Sequence, residues 1–257
     1  IIKRMLRFIY CCYQLVVALP LFILSTILTA LITSIGSVLG SAHFWGYYPA
    51  RLWSRFVCRL LLLQVEIVGR EKLTKGQSYV FVANHQGSMD IFLVYGYLNR
   101  NFKLMMKKAL RRLPFVGYAC YKARHIFVDK SSPRKVKATI DFARKTLQGG
   151  TSLVVFPEGA RTFTGHLGVF RKGAFQLADD LQLPIVPMTI NGSFDILPRT
   201  KGFNFVRHHK LQLLIHDPIY PTSRSAEDIL AIKDQAYDAI MRGLPPHYQG
   251  YVKNDDQ

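Results

Sequence analysis

The pattern of apolar positions divides the chain into two parts. Between Arg7 and Arg51 there is no Lys, Arg, Asp or Glu over residues 8–50, and residues 15–35 are the most apolar stretch. A run of about 20 apolar residues is long enough to span the core of a bilayer. From Gln64 onward, short runs rich in β-branched and aromatic residues alternate with longer amphipathic runs. The first part therefore predicts membrane-associated helices, and the second predicts a folded body of strands and helices.

The second part predicts an α/β fold. Strands are predicted over residues 65–68, 79–83, 103–106, 125–128, 152–156, 185–190 and 210–215, and helices over 91–98, 115–122, 133–147, 171–181 and 226–241. Strands that alternate with helices form a mostly parallel sheet, here of about seven strands, flanked by helices and with its sites at the carboxyl ends of the strands. We therefore predict membrane-associated helices over residues 1–64 and an α/β domain over residues 65–257.

Three arrangements would explain the apolar N-terminal segment. A cleaved signal peptide is disfavoured because the apolar stretch is longer than the usual run of about 7 to 15 residues. A single crossing would separate the basic N-terminus from the basic segment 51–59, whereas Lys and Arg prefer the cytoplasmic side. A hairpin resolves this conflict if the chain breaks at Gly36, Gly40 and Ser41 and returns as an amphipathic helix over residues 49–63, lying at the headgroups. We favour the hairpin.

The charge of the chain narrows the choice of partner. The formal net charge is +18, although 49% of the residues are hydrophobic. Between Arg100 and Lys145 there are fourteen Lys or Arg against Asp129 and Asp141. This excess of positive charge favours binding to an anionic surface or to a phosphorylated substrate. Nucleic acid is not expected as a partner, because no recognition motif accompanies these charges.

The cysteines indicate neither a disulfide framework nor a metal site. The four cysteines lie at positions 11, 12, 58 and 120, without a Cys-x-x-Cys pair and without a histidine at the spacing of a metal ligand. This usage is typical of a reducing compartment that faces the cytoplasm. We predict no bound metal.

The run Asn84-His-Gln-Gly-Ser-Met-Asp90 follows a predicted strand and precedes a predicted helix that Ser88 would cap. Five helical positions would place His85 and Asp90 about 140° apart, so the pair can meet only if His85 lies in the turn. Gly87, which tolerates unusual backbone angles, would allow that bend. A carboxylate that binds Nδ1–H leaves Nε2 free to accept a proton, so the pair predicts a general base.

A second motif, Phe156-Pro-Glu-Gly-Ala-Arg161, also follows a predicted strand. Pro157 and Gly159 predict a tight turn, and the guanidinium of Arg161 offers a planar set of donors to a phosphate. Glu158 would bind a substrate hydroxyl or orient Arg161. By itself this turn is equally typical of an internal salt bridge.

Together, the two motifs resemble the glycerophospholipid acyltransferase family, in particular its bacterial 1-acyl-glycerol-3-phosphate acyltransferases. That family is marked by a His-x-x-x-x-Asp motif followed by Phe-Pro-Glu-Gly-Thr-Arg, with Ala160 here in place of the usual Thr. Residues 107–117 leading to 126–130 resemble the intervening block, with Lys130 where the family more often has Arg, and residues 186–191 resemble the fourth block. The resemblance covers residues 65–219.

The resemblance implies an enzyme that transfers a fatty acyl group from an acyl thioester to the sn-2 hydroxyl of lysophosphatidic acid and so forms phosphatidic acid. His85 and Asp90 would be catalytic, and the substrate would be bound by Glu158, Gly159, Arg161, Lys107, Lys108 and Lys130. The donor would be acyl-CoA or acyl carrier protein, as co-substrate rather than cofactor. The enzyme would act at a phospholipid membrane, on the cytoplasmic face of the inner membrane.

Two alternatives remain at this stage. Within the same enzyme class, the acceptor could be glycerol-3-phosphate or a lyso-aminolipid. Outside it, a basic module that only binds anionic lipid would explain the charge and the hairpin, but it would leave both strand-end motifs unexplained.

Overall fold

The computed structural model describes residues 1–129, 131–147, 149–200, 202–223 and 225–252. Its α-helices are Ile2–Tyr13 (α1), Leu19–Leu39 (α2), Ala42–Trp45 (α3), Tyr48–Leu60 (α4), Met89–Tyr97 (α5), Val116–Lys122 (α6), Pro133–Thr146 (α7), Gly173–Leu181 (α8), Ser193–Ile196 (α9) and Ala226–Gly243 (α10). A π-helical segment, Gln14–Ala18, joins α1 to α2, and short 3₁₀ turns cover Arg70–Lys72, Lys108–Arg112 and Pro246–Tyr248. The strands are Gln64–Val68 (β1), Val80–Ala83 (β2), Phe102–Lys107 (β3), Ile126–Val128 (β4), Ser152–Val155 (β5), Ile185–Asn191 (β6) and Lys210–Ile215 (β7).

The strands form one seven-stranded sheet in the order β1-β7-β6-β2-β5-β3-β4. Neighbouring strands are parallel except for β6 and β7, so β1 and β7 run opposite to the other five. The predicted α/β class with a mostly parallel sheet is confirmed. Because β2 and β5 are parallel neighbours, with Val82 opposite Val155, the segments that follow these strands emerge side by side.

Two apolar cores cover the two faces of the sheet. One core packs α4 and α5 against the sheet through residues such as Val57, Leu93 and Phe102. The other packs α7, α8 and α10 against the opposite face through residues such as Ala143 and Phe175. Strands buried on both faces have near-continuous apolar sequences, as in β2 and β5, where every residue is buried.

The N-terminal helices break and return near Gly40, where the sequence predicts the break; a hairpin that re-enters the membrane stays a prediction. The continuous helical stretch Ile2–Leu39 is long and apolar enough to cross a membrane by length and composition, and only 11% of its most apolar window is buried. The chain turns after Gly40, and α4 returns beside the first arm. Hydrogen bonds join the ends of the two arms: the Tyr10 and Tyr13 hydroxyls donate to the carbonyls of Leu61 and Leu60.

The returning helix α4 packs against the α/β body. Its predicted place at the headgroups stays a prediction. The Arg55 guanidinium lies over the Tyr97 ring and its Nε donates to the Gly96 carbonyl, while Ser54 and Val57 are buried. The face of α4 that packs against α5 therefore contains both polar and apolar side chains. A guanidinium can pack there because the carbonyl accepts its hydrogen bond and the aromatic ring attracts its charge.

Candidate active site

His85 and Asp90 meet as the turn geometry predicted. His85 Nδ1 donates to Asp90 Oδ2 at 2.6 Å, and the Gly87 backbone N–H donates to the same oxygen at 3.1 Å. The Asp90 side chain is fully buried in the first turn of α5, whereas His85 is partly exposed. The His85 ring stacks on Phe156 with 4.1 Å between ring centroids. These contacts fix the plane and the tautomer of the imidazole, leaving Nε2 as the nitrogen available to a substrate.

Two details of this turn differ from prediction. We expected Gly87 to allow the bend through unusual backbone angles, but its φ is not positive; instead, a Cβ at this position would lie 2.5 Å from Ser193 Oγ and 2.6 Å from the Ser193 carbonyl oxygen. The glycine is required by close packing rather than by its backbone angles. Ser88 occupies the N-cap position of α5, but its side chain makes no capping bond. The Ser88 hydroxyl accepts a hydrogen bond from Arg161 Nη1 instead.

The second motif lies directly beside the first, because β2 and β5 are adjacent. The turn closes through a hydrogen bond from the Gly159 N–H to the Phe156 carbonyl at 3.0 Å, and Gly159 has φ +78°. A residue with a side chain would be strained at this left-handed angle, in agreement with the tight turn that the motif predicts. The Thr162 N–H donates to the His85 carbonyl at 2.9 Å, and this bond joins the two motif loops. Arg161 is thereby held next to the turn that carries His85.

Glu158 connects three backbone segments. One carboxyl oxygen accepts from the His85 N–H at 2.7 Å, and the other accepts from the Gly168 N–H at 2.8 Å. Burial raises the pKa of Glu158 to about 7, against the opposing effect of these two donors. Its assignment as a substrate-binding residue stays a prediction. The observed contacts give Glu158 a positioning role, since it holds the backbone of His85 rather than the side chain of Arg161.

The raised pKa of Glu158 has a consequence for stability. The folded state retains this proton up to about pH 7, whereas the unfolded chain loses it near the ordinary value of 4.5. Stability from this group is therefore present at low pH and falls as the pH rises through that window, by on the order of 3 kcal/mol. We expect the free energy of unfolding in detergent to fall with pH more steeply in the wild type than in Glu158→Gln. Parallel pH dependences in the two proteins would contradict this account of the buried carboxyl.

The three predicted lysines have different surroundings. Lys107 is exposed at the end of β3 and lines the cavity described below. Lys108 is exposed, and its Nζ lies 2.8 Å from Asp129 Oδ2. The Lys108 ammonium holds the pKa of Asp129 well below its usual range. The prediction for Lys130 lies outside the described residues, and the substrate-binding roles of Lys107 and Lys108 stay predictions.

A continuous cavity of about 1070 Å³ opens beside these residues. His85, Phe156, Gly159 and Arg161 line it where the two motif loops meet. Most of its wall is apolar, and part of that wall belongs to the long N-terminal helix, including Ala30. A cavity of this size accommodates lipid-sized ligands, and its course connects the imidazole to the long apolar N-terminal helix.

Sequence reasoning missed three residues of this site. Ser88 accepts from Arg161, Arg199 donates to the Arg161 carbonyl at 2.9 Å, and Arg171 lines the cavity near Gly159. Ser88 lies inside the first motif, so its spacing could have indicated it. Arg171 lies ten residues after Arg161 in the loop that leads into α8, whereas the sequence pattern predicts that it belongs to the helix. Arg199 is brought to the site by tertiary packing, and nothing in its local sequence marks it.

Comparison with known proteins agrees with this geometry. Residues 64–191 match the family model described as "Acyltransferase". The chain is 26% identical over 239 residues to a 1-acyl-sn-glycerol-3-phosphate acyltransferase of Chlamydomonas reinhardtii, covering 93% of this chain and 69% of that protein. It is 32% identical over 172 residues to the Saccharomyces cerevisiae 1-acyl-sn-glycerol-3-phosphate acyltransferase, covering 65% of this chain and 56% of that one.

Two further relatives match over nearly their whole length. A probable 1-acyl-sn-glycerol-3-phosphate acyltransferase of Mycoplasma pneumoniae is 27% identical over 252 residues, with 92% of each chain covered. The crystal structure of a Thermotoga maritima 1-acyl-sn-glycerophosphate acyltransferase matches with a TM-score of 0.74 at 23% identity, covering 94% of this chain and 95% of that one, and supports the fold. With the family model spanning both strand-end motifs, the chain belongs to the acyltransferase family.

Proposed function

We propose that the protein transfers a fatty acyl group from an acyl thioester to the sn-2 hydroxyl of 1-acyl-glycerol-3-phosphate, giving phosphatidic acid. The observation that carries this proposal is the His85–Asp90 pair, 2.6 Å apart, beside Arg161 in an apolar cavity that reaches the N-terminal helix. The relatives named as 1-acyl-sn-glycerol-3-phosphate acyltransferases support the same acceptor.

The geometry supports a direct transfer. His85 Nε2 accepts the proton of the lipid hydroxyl while the hydroxyl oxygen attacks the thioester carbonyl carbon. The Asp90 carboxylate stabilises the imidazolium that forms. Collapse of the tetrahedral intermediate breaks the carbon–sulfur bond, and the imidazolium returns the proton to the departing thiolate. Atoms and charges balance without a covalent enzyme intermediate.

Arg161 is placed to bind the phosphate of the acceptor. Its guanidinium contacts Ser88, which is three residues from His85. In the acceptor the phosphate is only a few bonds from the hydroxyl that reacts, so a phosphate bound at Arg161 brings that hydroxyl near His85. A charged, planar donor set gives both affinity and orientation. Lys107 and Arg171 add positive charge at the cavity wall. Because the acceptor keeps its own acyl chain, the apolar wall nearby supplies the rest of its binding surface.

We expect Arg161→Ala to raise the KM for lysophosphatidic acid by about ten- to a hundredfold, since a charge-assisted contact to phosphate is worth about 1.5–3 kcal/mol. The measurement is steady-state kinetics in mixed micelles with labelled acyl donor. The matched comparison is monoacylglycerol, which lacks the phosphate and should react equally slowly with wild type and variant. An effect confined to the KM of the acyl donor would contradict the assignment of Arg161.

The membrane is the proposed place of action. The exposed apolar surface of Ile2–Leu39 and the basic surface of the α/β body together favour binding to anionic lipid. We place the protein at the cytoplasmic face of the inner membrane, where acyl thioesters are available. Cys11, Cys12, Cys58 and Cys120 are free thiols in the structure, in keeping with a reducing compartment.

One assay tests the proposed function against its alternatives. Purified protein is given a labelled acyl thioester and a panel of acceptors: lysophosphatidic acid, glycerol-3-phosphate, a lyso-aminolipid and monoacylglycerol. We expect lysophosphatidic acid to be the preferred acceptor. A preference for glycerol-3-phosphate or for the lyso-aminolipid would show that lysophosphatidic acid is not the acceptor. Lipid binding without any consumption of thioester would favour the non-enzymatic alternative.

A further inference from the structure

The cavity opens on both faces of the sheet. Successive side chains of a strand point to opposite faces, and in β3 Leu104 and Met106 belong to the core on the α5 side while Met105 belongs to the core on the α7 side. All three side chains line the same cavity. The cavity therefore passes over the carboxyl edge of the sheet at β3 and has one branch on each face, with His85 near the junction.

The two branches differ in their walls. The branch on the α5 face is bounded by the N-terminal helix, through Ala30 and Thr33, and is the membrane-side branch. The other branch runs between α7 and α8, and we call it the α7–α8 groove. Its wall combines apolar and polar side chains: Val136, Thr139, Ile140, Gln176, Leu177 and Asp180.

The α7–α8 groove begins at the reaction centre and ends near a basic surface. At its inner end it meets Gly159 and Arg171, next to the motif loops. Near Asp180 the two helices are joined by a hydrogen bond from the Arg144 guanidinium to the Asp180 carbonyl at 3.0 Å. The outer surface of α7 is strongly basic, because the helix itself carries one acid, Asp141, and five exposed cations: Arg134, Lys135, Lys137, Arg144 and Lys145.

Two of these cations flank the groove at its Val136 end, whereas Arg144, at about 80° from Val136, is bonded to the Asp180 carbonyl farther along. At about 100° per residue, Lys135 and Lys137 lie on either side of Val136, which lines the groove, while Arg134 and Lys145 lie about 160° and 180° away. Lys137 is thus placed to hold an anionic group at the mouth of the groove. Lys135, whose Nζ lies 3.5 Å from Asp129 Oδ2 and donates to Ser131 Oγ at 2.8 Å, adds positive charge beside it. Val136 is 40% exposed, so this mouth is open to solvent.

We propose that the α7–α8 groove binds the phosphopantetheine arm of the acyl donor, with Lys137 holding the phosphate of that arm and Lys135 adding positive charge beside it. This inference rests on the proposed function, since a thioester donor must bring its carbonyl carbon to the hydroxyl at His85. The arm is a chain of methylenes and amides with a phosphate at its far end. A groove with apolar walls, hydroxyl and amide side chains and cations at its mouth is complementary to that chemistry.

The assignment also gives the two substrates separate routes to His85. The acyl chain of the lysophospholipid enters from the membrane side, along the N-terminal helix. The donor arrives from the aqueous side, where its phosphate meets α7. Coenzyme A and acyl carrier protein share the phosphopantetheine arm, so the groove serves either source.

The test compares two charge-reversal variants of the same helix. Lys135→Glu with Lys137→Glu alters the groove mouth, and Arg134→Glu with Lys145→Glu makes an equal change in charge on the opposite face. We expect the first variant, but not the second, to weaken binding of 4′-phosphopantetheine by about tenfold in titration calorimetry, because only its charges lie within screening distance of the bound phosphate. Pantetheine, which lacks the phosphate, should bind both variants as it binds the wild type.

Kinetics give a second, independent readout. For the groove-mouth variant we expect the KM to rise for both acyl-CoA and acyl carrier protein, with the KM for lysophosphatidic acid unchanged. Val136→Trp, at an exposed position that tolerates a larger side chain, should have the same effect by filling the groove. A truncated donor, the acyl thioester of N-acetylcysteamine, should be insensitive to the charge reversal.

Three results would overturn the inference. The first is unchanged binding of 4′-phosphopantetheine by the groove-mouth variant, and the second is an equal effect of the two charge-reversal variants. The third is an effect limited to acyl carrier protein, which would mean that α7 contacts the surface of the carrier protein. The binding measurement does not require turnover. A wild-type protein that binds 4′-phosphopantetheine but does not acylate lysophosphatidic acid would refute the proposed acceptor and leave the groove assignment standing.

Discussion

His85→Ala is expected to lower kcat/KM for acyl transfer by a factor of about 10² to 10⁴, the usual contribution of a positioned general base. The reason is specific to the geometry: Nδ1 is held by Asp90 at 2.6 Å, and the ring is stacked on Phe156, so Nε2 is the atom oriented toward the cavity for proton transfer. No neighbouring side chain with the same properties replaces it among the residues whose positions are described.

The measurement is initial velocity with saturating thioester, alongside thermal unfolding and vesicle binding. His208→Ala is the matched control, because His208 is exposed and lies far along the chain from both motifs. We expect the control to retain full activity and both proteins to bind vesicles equally. Near-normal turnover by His85→Ala with an intact fold would disprove the proposed mechanism.

Asp90→Asn is expected to reduce kcat by a similar order, about 10² to 10⁴. An amide nitrogen facing His85 Nδ1 would force the wrong imidazole tautomer. An amide oxygen in that place would keep the hydrogen bonds from His85 and Gly87 but would lack the charge that stabilises the imidazolium. Either orientation also leaves a polar NH₂ group in a fully buried position, so a loss of stability accompanies the loss of rate.

The double variant sharpens this prediction. Residues that act as one catalytic unit give strongly non-additive losses, so His85→Ala combined with Asp90→Asn should be about as active as His85→Ala alone. Asp238→Asn, at an exposed carboxylate on α10, is the matched control. If the losses of the two single variants multiplied in the double variant, Asp90 would be acting on something other than His85.

Glu158 illustrates the limit of reading a role from a motif. The sequence indicates an acidic residue next to Arg161, and a salt bridge or a substrate contact is the usual expectation for such a pair. In the structure both Glu158 oxygens accept backbone N–H groups, one from His85, 73 residues earlier in the chain, and one from Gly168, ten residues later. A buried carboxyl accepts hydrogen bonds from the nearest donors that lack a partner, and the sequence does not show which donors those are.

The sequence by itself determined the element types, the break and return of the N-terminal helices and the residues of the two strand-end motifs. These features depend on local physics: the alternation of apolar residues in strands, the amphipathic period of helices and the short span from His85 to Asp90 that one turn can close. Even the β2 and β5 ends were identifiable, because buried strands have continuous apolar runs.

Only the tertiary structure decided which strand ends are neighbours. The pairing of Val82 with Val155 places Arg161 beside the turn of His85, and the order of the sheet also brings Arg171 and Arg199 to the same cavity. The antiparallel placement of β7, the packing that requires glycine at position 87 and the two branches of the cavity have the same origin. Each arises from contacts between residues far apart in the chain, which leave no local signal in the sequence.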